Sequence, residues 1–95
     1  MDQPPAHRDS DRPGAWSAQL AAELASAPLP RSTVGALLSM ARDVAHATER
    51  INAPLSTYVA GRYVEARVAS GCDEAVALDE VAAAVRRLLS ETTPG

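Results

Sequence analysis

Apolar residues recur along this chain at steps of three and four, the spacing of one helical face, and no segment alternates as a strand would. After Ala15, the residues Trp16, Leu20 and Leu24 follow one another at four-residue steps. Ala27 extends the stripe, which predicts a short helix ending before Pro28-Leu29-Pro30. Trp16 is the largest apolar side chain of that helix and is expected to anchor the core. Ser32 or Thr33 offers a capping hydroxyl for a second helix over about 33–51. At about 100° per residue, Val34, Leu37, Leu38, Ala41, Val44, Ala45 and Thr48 share one arc of roughly 120°, while Ser39, Arg42, Asp43, His46 and Arg50 collect opposite.

Asn52-Ala53-Pro54 interrupts this pattern, and Pro54 suits the first turn of a third helix, where its missing N–H would be unpaired anyway. That helix, about 54–70, has two apolar seams: Leu55, Val59, Tyr63 and Ala66 on one side, Ala60, Val64 and Val68 on another. A helix apolar on two sides is expected to lie between two neighbours, and Ala60 and Gly61 are small enough to admit a close one. Gly71 supplies the left-handed residue that ends it. Asp73 can cap a fourth helix to about Ser90 with the stripe Leu78, Val81, Val85, Leu88 and Leu89. Its acids Glu74, Asp79 and Glu80 come early and Arg86 and Arg87 late, the order a helix dipole favours. Residues 1–14 mix prolines with charges and show no periodicity, so they read as a disordered tail. The expected organisation is that tail, an all-α bundle of four short helices over 15–91 with the third central, and a frayed end at 92–95.

Composition limits what such a domain can be. Of 95 residues 44 are apolar, but 20 of these are Ala, so the core is thin and one small domain is the ceiling. Nine Arg, no Lys and twelve acids leave a net charge of −3, without the positive field that phosphate-backbone binding needs. No nucleic-acid partner is expected. No apolar run is long enough for a membrane span and no apolar leader opens the chain, which predicts a cytoplasmic protein with no membrane contact. The absence of Lys rules out a phosphate-loop lysine and Schiff-base chemistry, and a lone Cys72 cannot form a disulfide within the chain or a paired-cysteine zinc site. No cofactor and no metal are expected.

The most distinctive polar feature is Arg42-Asp43-Val44-Ala45-His46. On a helix Arg42 and His46 stand one turn apart, Asp43 lies three residues from His46, and Arg50 continues the row. A carboxylate beside an imidazole can orient it for proton transfer, and flanking arginines can hold an anion, so a small acid/base or anion-binding enzyme using His46 and Asp43 is one alternative. No nucleophile or substrate-holding neighbour accompanies them, and the favoured use of Ser39, Arg42, Asp43, His46 and Arg50 is contact with a protein partner, without catalysis. A helix-turn-helix regulator is a further alternative, weakened by the charge balance. A zinc site on His46 and Asp43 would need further ligands that the sequence does not place nearby. Cys72 precedes a helix, but Asp73 and Glu74 oppose thiolate formation, so it reads as a helix-flanking residue. Tyr58 and Tyr63 read as packing residues with a hydrogen-bonding tip.

The run Met40-Ala41-Arg42-Asp43-Val44-Ala45-His46, then Arg50, then Ala53-Pro54-Leu55-Ser56-Thr57-Tyr58 followed by Gly61, resembles a small bacterial family of unknown function. Its members occur alone or as a C-terminal extension of molybdenum cofactor guanylyltransferases. The resemblance spans about 15–91 and includes Trp16. It implies Trp16, Pro54, Leu55, Thr57, Tyr58 and Gly61 as structural positions and assigns no catalytic residue. The implied role is an accessory module near molybdenum cofactor maturation, with a guanylyltransferase or a second copy of the chain as partner.

Overall fold

Among the described residues of the computed structural model four helices follow one another: α1 (Ala15–Glu23), α2 (Arg31–Ala47), α3 (Asn52–Ala69) and α4 (Glu74–Thr92). The structure describes residues 14–92, and those residues hold no strand, so the chain is all-α. The expected tail, Gly14 apart, and the chain end after Thr92 lie outside the described residues. No helix among them is long and apolar enough to cross a membrane. The chain divides into two units, one through Gly35 and one from Ala36.

In the first unit, Gly14 is where α1 begins, although its neighbours group it with the tail. Its φ is +90°, and its carbonyl accepts the Ala18 N–H at 2.9 Å and the Ser17 hydroxyl at 3.0 Å. A Cβ at Gly14 would stand 3.1 Å from Cγ2 of Val34, so both the backbone angle and the space call for glycine. The helix closes four residues before the expected Ala27. The Ser26 N–H reaches the Ala21 carbonyl at 2.8 Å, the Ala25 N–H reaches Ala22 at 3.1 Å, and Ala25 takes a left-handed φ of +55°. Pro28 explains the early stop, because it drives the residue before it out of the helical region and the closing turn must finish first.

Trp16 does not anchor a core: it is 68% exposed, and α1 has no buried residue. The less exposed side of this helix is Gly14, Ala18 and Ala21, nearly opposite Trp16 and Leu20. Small residues admit a close neighbour there, which the bulky stripe would not. Neither Ser32 nor Thr33 caps α2. The Pro30 carbonyl accepts the Val34 N–H at 3.0 Å, so the helix starts at Arg31 and both hydroxyl residues fall inside its first turn.

The second unit holds the rest of α2 with α3 and α4. Met40 and Val44 of α2 and Ala60 of α3 form a buried cluster, with Leu37, Val81 and Val85 packed against it. Val64 and Ala77 are also buried, and among the described residues no large side chain is completely enclosed. The thin core predicted from the alanine content is what forms. α2 ends at Ala47, short of residue 51, because its last turn is closed locally. The Thr48 hydroxyl donates to the Val44 carbonyl at 2.7 Å and accepts from Asn52 Nδ2 at 3.1 Å, while the Asn52 N–H bonds to Glu49 at 2.9 Å.

α3 and α4 are joined by a turn of four residues. Gly71 has φ +101°; its N–H reaches the Val68 carbonyl and the Cys72 N–H reaches Arg67, each at 3.0 Å, which is the left-handed stop expected of this glycine. Asp73 precedes α4, and its carbonyl accepts the Ala77 N–H at 3.0 Å. Because α4 runs on to Thr92, Arg86 and Arg87 fall outside its last turn and gain little from the dipole.

Candidate functional site

Ser39, Arg42, Asp43 and His46 are all exposed on one side of α2, turned away from buried Met40 and Val44. Among the described residues, the side chains of Arg42, Asp43 and His46 make no hydrogen bond or ion pair. Asp43 therefore does not orient the His46 imidazole, and the pair lacks the geometry a proton-transfer dyad requires. Arg50 is exposed too, but it does not extend the row. It sits in the turn between α2 and α3, where its carbonyl accepts the Ala53 N–H at 3.1 Å. No group of three or more His, Cys, Asp or Glu residues that could hold a metal ion occurs among the described residues.

The Pro54 to Gly61 positions divide. Pro54 lies in the first turn of α3, and its carbonyl accepts the Thr57 hydroxyl at 2.8 Å, so these two residues shape the start of the helix. Leu55 and Tyr58 are exposed and are not packing residues within the chain. The Arg62 guanidinium lies 6.0 Å from the centroid of the Tyr58 ring, at the outer limit of a cation–π contact. Gly61 admits no close neighbour: a Cβ there would meet nothing within 4 Å.

One polar cluster escaped the sequence reading. Arg67 on α3 grips Glu80 on α4 with two bonds of 3.0 Å, and the Tyr63 hydroxyl donates to the same carboxylate at 2.7 Å. The Arg67 hydrogen bond, then that of Tyr63, holds the Glu80 carboxyl below its ordinary value. Glu80 in turn raises both partners, through its hydrogen bond first in each case. The signal was present in the turn register: a hairpin closing at residues 70–73 sets residues near 64 beside those near 77 to 80. Arg67 and Glu80 then become neighbours, whereas wheels drawn helix by helix cannot pair them.

The sign of the resulting pH dependence follows from these directions. A carboxyl whose pKa is depressed by folding adds stability above its unfolded value and loses it as pH falls through the folded one. The α3–α4 pairing should hold from neutral pH down to the ordinary glutamate value of 4.5 and weaken below it. Tyr63, raised above 10.0, loses its contribution only above that pH. Glu80→Gln is expected to flatten the acid limb of a melting-temperature profile; an unchanged limb would show that this carboxylate is not its source.

Beside this cluster opens a groove of about 1000 Å³. Its walls include Leu55, Val59 and Tyr63 of α3 and Ala84 and Leu88 of α4, with Met40 and Val44 of α2 beyond them. Leu55, Val59, Tyr63 and Leu88 are exposed, so one of the two seams of α3 stays open while Ala60 and Val64 of the other are buried.

Neither the curated proteins nor the solved structures hold a match to the chain. One family model does match, over residues 8–94, nearly the full length of 95 residues. The chain therefore belongs to the family described as the domain of unknown function DUF6457.

Proposed function

We propose that this chain is a non-catalytic protein-interaction module that presents the Ser39, Arg42, Asp43 and His46 face of α2 to a protein partner. What supports the reading is that Arg42, Asp43 and His46 stand exposed and unpaired among the described residues, on a regular helix. Donors and an acceptor fixed at helical spacing suit recognition of a complementary protein surface, where charge matching sets specificity and encounter rate. The resemblance of Met40 to Tyr58 to a bacterial family found fused to molybdenum cofactor guanylyltransferases makes such an enzyme the first partner to test. The role would then be accessory to molybdenum cofactor maturation. The dyad alternative is not favoured, because Asp43 and His46 are not hydrogen-bonded.

The test is calorimetric titration of purified guanylyltransferase with the wild-type chain and with Arg42→Glu and His46→Ala. Binding is expected for the wild type, with Arg42→Glu weakening it at least tenfold, about 1.4 kcal/mol. Because both positions are exposed, the helical circular dichroism should not change. No binding by the wild type, or equal binding by all three chains, would overturn the assignment.

A further inference from the structure

We infer that the groove between α3 and α4 binds a small amphiphilic carboxylate of medium chain length, with its carboxylate on Arg87 and Ser56 and its alkyl chain running between Val59 and Ala84 toward Tyr63. The groove lies wholly in the second unit, and the α2 ridge turns away from it, so the inference is independent of the partner reading. An apolar face of this extent is ordinary on a monomer and by itself calls for no protein partner. The volume and the lining chemistry are more specific. About 1000 Å³, mostly apolar walls and a few placed polar groups are what small-molecule sites share.

The charges of the lining select the ligand. Among the described residues, Glu80 and Arg87 are the only charged ones on the groove wall, and they differ in state. Glu80 is matched: Arg67 grips it with two bonds and the Tyr63 hydroxyl donates to it. The Arg87 guanidinium makes no hydrogen bond or ion pair among the described residues. In a chain of net charge −3, this groove therefore carries one uncompensated positive charge. Arg62, over Tyr58 on the flank of α3, adds to the same field. A single guanidinium beside apolar walls suits a ligand with one anionic head and an apolar remainder, and its planar fork matches a carboxylate. The half-buried Ser56 hydroxyl also lines the groove, makes no hydrogen bond among the described residues, and can donate a further one. Thr48 and Asn52, the other polar side chains at this end, bond to each other.

The length of the ligand follows from the helix register. The Tyr63–Glu80 bond sets α3 against α4, and seven residues back along α3 and seven on along α4 bring Ser56 about level with Arg87. From there to Tyr63 is about 10 Å at a rise of about 1.5 Å per residue. With C–C bonds of about 1.5 Å at tetrahedral angles, an extended alkyl chain advances about 1.25 Å per carbon, so about eight methylenes fill the distance. Decanoate has that length.

Calorimetric titration of the full chain with decanoate, kept below its micelle concentration, should show saturable binding of one molecule per chain with a sub-millimolar Kd. Decanol, which keeps the tail without the charge, should bind at least tenfold more weakly, and decyltrimethylammonium should not saturate the site. Arg87→Gln should weaken decanoate at least tenfold and leave decanol unchanged, with helicity retained because the side chain is exposed. Arg86→Gln is the control: Arg86 is exposed, carries the same charge and does not line the groove, so decanoate affinity should hold. No saturable decanoate binding, equal binding by the Arg87→Gln chain, equal loss in the Arg86→Gln chain, or equal affinity for the cationic amphiphile would each overturn the inference. So would light scattering that returns twice the chain mass of 9.9 kDa in saturating decanoate as in its absence, together with no heat of decanoate binding, since the groove would then be held by a second copy.

Discussion

Ala77→Leu is expected to destabilise the second unit by about 3 kcal/mol, the upper part of the range for overpacking a closed site. Ala77 is 0% exposed, and it lies one turn before Glu80, which Arg67 of α3 grips, and Val81, which packs against the buried cluster. Three added carbons have no void to enter, so the hairpin must open or its side chains leave their rotamers. The effect is large relative to what a domain of this size holds, about 0.05–0.15 kcal/mol per residue, and the core here is thin. At about 4–8 °C per kcal/mol the melting temperature should fall by more than roughly 10 °C. Ala75→Leu is the control, since Ala75 is exposed on the same helix and its replacement should stay within about 0.5 kcal/mol. Equal melting of the two variants would mean that the α3–α4 approach is looser than the burial of Ala77 states.

The contrast between alanines also shows what was legible in the sequence. The helices and the turns between them came from local chemistry: Pro54 opening α3, Gly71 closing it and Asp73 before α4 all sit where the residue types place them. Which face of each helix turns inward was less legible, because small residues decide it here. Ala60 and Ala77 are buried while Leu55 and Leu88 are exposed, and a hydrophobic wheel weighs leucine above alanine. On α1 the same reversal exposes Trp16 and favours Gly14 and Ala18. The α2 ridge was legible, since charged side chains mark an outward face whatever packs behind it. The Tyr63–Glu80–Arg67 cluster was not, because it depends on the register between two helices. Arg50 was misplaced for a third reason: Thr48 and Asn52 stop α2 through side-chain bonds that periodicity cannot register.

The sharpest test of that argument lies on α2, where sequence and structure choose different residues. The sequence arc centres near Ala41 and includes Leu38. The buried positions are Thr33, Met40 and Val44, with Val34, Leu37, Ala41 and Ala45 half-buried, a set turned by only about 30° from the predicted one at 100° per residue but centred nearer Met40 than Leu38. Met40 is 7% exposed and belongs to the buried cluster with Val44 and Ala60, whereas Leu38 is 53% exposed. Met40→Ala should therefore cost about 2–4 kcal/mol, the lost transfer energy plus a cavity that three helices cannot collapse to fill. Leu38→Ala should cost less than about 1 kcal/mol, since its side chain leaves little water-free surface behind. Leu37 packs against the cluster while Leu38, about 100° further round, stands to solvent, and unbranched Met40 fills the space beside Val44 and Ala60. Urea unfolding of both variants decides between the two faces. A greater loss for Leu38→Ala than for Met40→Ala would restore the arc drawn from the sequence and place Leu38, in Met40's stead, at the buried centre of α2.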